Sequence, residues 1–176
     1  MIKNIFFDRD GVINHVVFRE KFETAPWTFD EFKIREDFVE LYDSLKHKDY
    51  NMFVVSNQPD VIRGDMKQEE LDKITKVITD KFDFKEIVYC YDSENTSFNR
   101  KPNPGMLLGL IERYNLNRDE TIMVGDTWKD IEASHKAGIK TIYIKNNYNK
   151  LNSYLPDFEV DTLHEVEDII NKLNKE

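Results

Sequence analysis

The sequence predicts an α/β fold with a parallel sheet of about five strands and helices on both faces. Two observations predict it. Short apolar runs alternate with longer segments whose apolar residues recur at helical spacing. Several of those short runs stop abruptly at polar residues: Asp8 and Asp10, then Ser56 and Asn57, then Gly125-Asp126. In open parallel sheets ligands bind beyond the carboxyl ends of the strands, so these stops mark one candidate site.

The first strand holds Ile2, Ile5, Phe6 and Phe7, apolar enough to be buried on both faces. It ends at Asp8-Arg9-Asp10-Gly11, where Gly11 permits a sharp turn or a close approach. Two acids one residue apart repel each other, and a divalent cation such as Mg²⁺, which takes hard oxygen ligands, would stabilise them. Residues 15–35 read as irregular. Their aromatics Phe18, Phe22, Trp27, Phe29 and Phe32 are expected mostly in the core, with a pocket wall as the other reading.

From Glu36 to Lys48 the positions Phe38, Leu41, Tyr42 and Leu45 share one helical face. Met52 to Val55 is a second strand, ending at Ser56-Asn57-Gln58-Pro59. Residues 67–82 form a helix with Leu71, Ile74, Val77 and Ile78 on one side, and Ile87 to Tyr91 a third strand. The loop from Asp92 to Asn103 carries Arg100-Lys101-Pro102. Asn103-Pro104 has the form of an N-cap followed by proline at the first helical position. That helix holds Met106, Leu107, Leu110, Ile111 and Tyr114. Thr121 to Val124 is the fourth strand, and a helix from Trp128 to Ala137 is stopped by Gly138. Ile139 to Ile144 is the fifth strand. Residues 145–161 read as irregular, with Lys145 to Lys150 a solvated loop, and Leu163 to Leu173 is a final helix.

At 176 residues the chain fits one domain over positions 1–176. Its 40% hydrophobic content, with 12 Phe and 8 Tyr, supplies a core and excludes global disorder. A net charge of −9 disfavours nucleic acid as a partner, because that affinity rests on neutralising phosphates. One cysteine, Cys90, makes no intrachain disulfide. There is no membrane-length apolar stretch, and the first strand leaves no room for a signal peptide, so the cytoplasm is expected, with a monomer favoured over an oligomer.

These residues suit Mg²⁺ together with a phosphate group. Asp8, nearest the strand end, is the candidate nucleophile, and Asp10 the acid and base for the leaving group and water. Asp8, Asp10 and Asp126 are the expected metal ligands. Ser56, Asn57 and Lys101 would bind phosphate oxygens. Asp130, one helical turn past Asp126, is expected to support the site from behind or to act as a helix N-terminal acid.

So assembled, the chain resembles the haloacid dehalogenase superfamily of phosphatases. Asp8-Arg9-Asp10-Gly11, Val54-Val55-Ser56-Asn57, Lys101, and Gly125-Asp126 with Asp130, Ala133, Ala137 and Gly138 match that family's motifs in order. Asp8 to Asn14, Ser56-Asn57-Gln58, Arg63-Gly64 and Arg100 to Leu107 resemble the branch of heptose bisphosphate and histidinol-phosphate phosphatases. The resemblance implies a Rossmann-like fold without a large cap domain, Mg²⁺ dependence, a small phosphate ester as substrate, and Arg100 touching that substrate beside Lys101. That branch usually has a zinc loop of cysteines and a histidine. Here Cys90 alone remains, so no zinc is expected. Two other readings stay open: a polynucleotide 3′-phosphatase, and a protein that binds a phosphorylated ligand without cleaving it.

Overall fold

The computed structural model describes residues 1–175. Among them, strands β1 (Asn4–Phe7), β4 (Asn51–Asn57), β5 (Glu86–Cys90), β6 (Thr121–Gly125), β7 (Lys140–Ile144) and β8 (Phe158–Val160) form one parallel sheet. Its order is β5-β4-β1-β6-β7-β8. Strands β2 (Val17–Arg19) and β3 (Phe22–Thr24) form a separate antiparallel hairpin. The helices are α1 (Glu36–Leu45), α2 (Asp60–Arg63), α3 (Gln68–Lys81), α4 (Gly105–Arg113), α5 (Trp128–Ala137) and α6 (His164–Leu173).

Side chains alternate across a strand, and β1 shows the result. Ile5 and Phe7 join one core with Phe38 and Leu41 of α1, Leu71 and Ile74 of α3, and Val166 and Ile170 of α6. Phe6, between them in sequence, joins the opposite core with Leu107 and Leu110 of α4 and Ala133 and Ala137 of α5. Both faces of β1 are therefore dry, which explains why its sequence is continuously apolar rather than alternating. The expected helices on both faces are present.

The register brings the strand ends level. Phe7 pairs with Val54 on one side and with Val124 on the other. Asp8, Val55-Ser56 and Gly125-Asp126 therefore emerge on the same edge of the sheet. The expectation of about five strands falls short by one: β8 is three residues long, too short to show a periodicity.

Three further expectations need correction. Residues 15–35 contain the β2–β3 hairpin and a single 3₁₀ turn at Phe29–Glu31. The hairpin turns at Glu20-Lys21, with Glu20 at φ 55°, a position that usually attracts glycine or asparagine, so no turn signal announced it. Of its aromatics, Trp27 and Phe32 pack on the core, but Phe18 and Phe22 are 59% and 71% exposed. Asn103 does not cap α4: its amide donates to the carbonyls of Asn95 and Ser97, and Pro104 takes the cap position. No helix among the described residues is long and apolar enough to cross a membrane.

Candidate active site

Asp8 leaves β1 with its Oδ1 accepting a hydrogen bond from the backbone N–H of Arg9 at 2.7 Å. The same oxygen lies 3.0 Å from Lys101 Nζ. Lys101 Nζ also donates to Asp130 Oδ1 at 2.6 Å and to the Val55 carbonyl at 2.9 Å. Lys101 is nearly fully buried, so three oxygens replace the water it has lost. Burial opposes its charge, but Asp130 and Asp8 outweigh burial and hold the ammonium more basic than usual.

Asp126 reaches the same point from the end of β6. Oxygens of Asp8, Asp126 and Asp130 lie within 4.8 Å of one another. Gly11 makes this approach possible: it sits at φ 88°, and a Cβ there would come 1.9 Å from Asp126 Oδ2. Desolvation, then repulsion from Asp130, pushes Asp8 from 3.8 up to about 7. Desolvation and Asp8 raise Asp126 well above the ordinary carboxylate range.

Asp126 Oδ1 is buried and has no hydrogen-bond partner. A buried acceptor without a donor, beside a second acid of raised pKa, fits a cation held through hard oxygens, as Mg²⁺ prefers. Asp8 and Asp126 would hold it, with Asp130 behind.

Asp130 is placed by its own helix. It is the third residue of α5, and its Oδ2 accepts from the N–H and hydroxyl of Thr127 in a capping box. It thus closes the helix and orients Lys101 together.

The carboxylate of Asp10 is placed differently from the three-acid set expected from the sequence. Its Oδ1 accepts from Arg9 Nη2 at 2.8 Å and Asn14 Nδ2 at 3.0 Å, and its Oδ2 from Gln58 Nε2 at 2.7 Å. Asp130, rather than Asp10, completes the acid cluster. Asp10 still lines the cavity with Asp8, Ser56, Asn57, Lys101, Asp126 and Lys129. The opposite wall is hairpin and flank: Val16, Glu23, Thr24 and Ala25.

Ser56 is buried beside Gln58, whose Nε2 donates to its hydroxyl at 2.9 Å. Asn57 has a role the sequence did not suggest. Its Oδ1 accepts from the Lys101 N–H, and its Nδ2 donates to the Lys101 carbonyl at 2.9 Å, latching that loop to β4. Arg100 is not on the cavity wall. Its Nη1 donates to the Asp92 carbonyl at 3.1 Å, inside its own loop.

Sequence reasoning missed Arg9, Asn14, Gln58 and Tyr148. Arg9 is fully buried and pairs with Asp10. Gln58 follows the second polar stop, which was the available signal. Tyr148 lies in the stretch read as a solvated loop, yet its hydroxyl donates to Asp126 Oδ2 at 2.5 Å. Burial, reinforced by the Asp126 charge, raises the phenol above its usual pKa, so it acts as the donor.

The acid cluster makes a pH dependence predictable. Asp8 is raised in the folded state, so its contribution to metal-free stability is fully present below about pH 4 and is lost as pH rises through about 7. A divalent cation such as Mg²⁺ would bind the ionised form. Thermal melts with EDTA and with Mg²⁺ are expected to differ little at pH 5 and clearly at pH 8; a metal effect equal at both would contradict this.

Residues 2–144 match the family model for haloacid dehalogenase-like hydrolase. The chain is 28% identical over 162 residues to D-glycero-alpha-D-manno-heptose-1,7-bisphosphate 7-phosphatase of Campylobacter jejuni, covering 89% of this chain and 90% of that one. It is 31% identical over 160 residues to D-glycero-beta-D-manno-heptose-1,7-bisphosphate 7-phosphatase of Pasteurella multocida, covering 82% and 83%. In fold it is similar to the crystal structure of D,D-heptose 1,7-bisphosphate phosphatase from B. bronchiseptica complexed with magnesium and phosphate. The TM-score is 0.81 at 22% identity, over 97% of this chain and 99% of that one. The ordered motifs and the match over most of the length lead to one conclusion: the chain belongs to the haloacid dehalogenase-like hydrolase family.

Proposed function

We propose that this hydrolase is a Mg²⁺-dependent phosphatase that cleaves a small phosphorylated metabolite through an aspartyl-phosphate on Asp8, within one domain over residues 1–176. The observation that carries the reading is the 3.0 Å approach of Lys101 Nζ to Asp8 in a cavity shared with Asp126. A nucleophile and a buried cation at one point suit a transferring phosphoryl group. Bound Mg²⁺ would neutralise charge on the phosphoryl oxygens.

Both close contacts of Asp8 fall on Oδ1, which leaves Oδ2 to attack phosphorus. The ester P–O bond breaks, and the leaving oxygen takes a proton from Asp10. Asp10 then takes a proton from the water that attacks the aspartyl-phosphate, releasing phosphate and restoring Asp8. Arg9, Asn14 and Gln58 hold Asp10 in place for both transfers. Lys101 stabilises the equatorial oxygens, and Ser56 lies within the cavity to donate a further hydrogen bond.

A sugar phosphate carrying a second anionic group, such as a heptose bisphosphate, fits best. Lys129 lines the cavity and has no carboxylate within ion-pair distance among the described residues. Burial, then Arg100, lowers its pKa, and burial followed by Arg63 does the same to Arg100. Lys129 is therefore a cavity-wall cation without a partner acid, and an anion on the substrate would stabilise it. Relatives named for heptose bisphosphates support the same class. Lys129→Ala is expected to raise KM for a sugar bisphosphate about tenfold, the worth of one charge-assisted hydrogen bond. The matching monophosphate should change little. An equal rise for both would remove the second-anion reading.

Zinc has no part in this proposal. Cys90 is buried and its thiol is pushed up by that burial, away from the thiolate a zinc site needs. The direct test of function is a Mg²⁺-dependent screen of heptose bisphosphates, histidinol phosphate, nucleotides and a 3′-phosphorylated oligonucleotide. Hydrolysis of the sugar phosphates is the expected result. No turnover of any ester, with phosphate still bound, would defeat it.

A further inference from the structure

The segment after β7, Lys145 to Lys150, is fastened to the acid cluster along its length. Asn146 Nδ2 donates to the Asp126 backbone carbonyl at 2.7 Å and to the Ile144 carbonyl at 3.2 Å. Asn146 Oδ1 in turn accepts from the N–H groups of Tyr148, at 3.2 Å, and Asn149, at 2.8 Å. Asn149 Oδ1 accepts from the N–H of Trp128 at 3.2 Å, one of the donors left open at the start of α5. Asn149 Nδ2 reaches the Tyr143 hydroxyl at 3.1 Å. One asparagine thus holds the backbone of Asp126, and another holds the helix that follows it.

This frame delivers the Tyr148 hydroxyl to Asp126 Oδ2 at 2.5 Å. The other oxygen of Asp126 is buried and unpartnered. A free carboxylate can rotate and present either oxygen. Here one oxygen is engaged from outside the cluster, which leaves the buried other one available to a cation. The Tyr148 ring also meets the exposed hairpin, with Phe18 edge-on at 5.8 Å between centroids. Phe18 is otherwise 59% exposed.

We propose that Tyr148 is a positioning residue for the metal ligand Asp126: its hydroxyl fixes one carboxylate oxygen so that the other is presented to the cation, and its ring ties the β2–β3 hairpin to that arrangement. The proposal rests on the Mg²⁺ site of the preceding section. Removing a group that orients a ligand from behind commonly costs about 10–100-fold in metal affinity. The two parts of the side chain have separate consequences. The hydroxyl sets the affinity for the cation, and the ring sets the order of the hairpin that walls the cavity.

Two variants separate them. Tyr148→Phe removes the hydroxyl and keeps the ring against Phe18. Tyr148→Leu removes both. Calorimetric titration of Mg²⁺ into the metal-free protein is expected to show about tenfold weaker binding for both variants. At saturating Mg²⁺, KM for the ester should stay within about twofold of the unaltered protein for Tyr148→Phe, which a general loosening of the fold would not allow. Hydrogen exchange of residues 17–24 should slow on Mg²⁺ addition in the unaltered protein, and much less in Tyr148→Leu. Undiminished Mg²⁺ affinity in Tyr148→Phe, with the unaltered protein binding normally, would overturn this inference and leave the phosphatase reading intact. If the unaltered protein binds no Mg²⁺, both fall. Equal slowing of the hairpin in Tyr148→Leu would remove the role of the ring. Phe18→Ala, a change at an exposed position, provides a second route: it should free the hairpin while leaving Mg²⁺ affinity within about twofold, and a large loss of affinity would contradict the assignment of affinity to the hydroxyl.

Discussion

Asp8→Asn is expected to lower phosphatase turnover at least about a thousandfold, the scale on which removal of a nucleophile is felt. The amide keeps the shape of the side chain, so the hydrogen bond from Arg9 can persist while nucleophilicity is lost. Folding is expected to survive: burial, then repulsion from Asp130 and Asp10, raises the pKa of Asp8, and a neutral side chain there relieves both. The metal-free variant should therefore melt no lower than the unaltered protein above pH 7. A companion experiment looks for the covalent species directly. Asp10→Asn removes both the acid of the first step and the base of the second; an aryl phosphate, whose leaving group needs no proton, confines the loss to the second step. Acid-quenched Asp10→Asn protein is expected to carry the mass of one phosphoryl group on the peptide that contains Asp8. Turnover surviving Asp8→Asn within a few-fold, or a phosphoryl group on another peptide, would refute the mechanism.

Lys101→Met is expected to have two large effects. The rate should fall about a hundredfold or more, as when one preorganised donor to a developing charge is removed. Stability should fall as well, because Asp8 and Asp130 lose the buried cation that both contact. Breaking a buried pair from one side costs about 3–5 kcal/mol. The sign with pH follows from the acids. Without Lys101 the pKa of Asp8 rises further, so the missing stability is greatest above pH 7 and shrinks as acid protonates Asp8. Urea unfolding at pH 5 and pH 8 measures this. A loss equal at both values would mean that methionine packs badly, and that the charge of Lys101 is not what the cluster needs.

The parts of the site that were legible in sequence are those that follow apolar runs. Asp8, Ser56 and Asp126 each end a buried strand, and parallel pairing places strand ends together whatever the loops do. Lys101 was legible through its motif and its proline neighbour. The divergence at Asp10 has a local cause. D-x-D spacing suggests two acids facing one ion, but Arg9, Asn14 and Gln58 hold the Asp10 carboxylate with donors that no spacing rule reveals. The hairpin was hidden by a turn built on Glu20-Lys21 instead of glycine or asparagine. Strand β8 was hidden by its three-residue length. Tyr148 was hidden because a polar loop with one aromatic looks the same whether it is solvated or anchored. Its contact with Asp126 depends on how Asn146 folds the loop, which is a tertiary fact.

Strand β1 lies between β4 and β6, so its neighbours in the sheet come from the middle and the later part of the chain. During synthesis Asp8 emerges with β1, well before its acidic companion Asp126, which follows the end of β6. Until that partner arrives, Asp8 meets neither Asp126 nor Asp130 and remains an ordinary solvated carboxylate. Such long-range closure is slow compared with local helix formation. In the proposed Mg²⁺ site, capture of the ion would therefore report that the polypeptide has closed its central sheet, and a fragment lacking β6 would be unable to hold it.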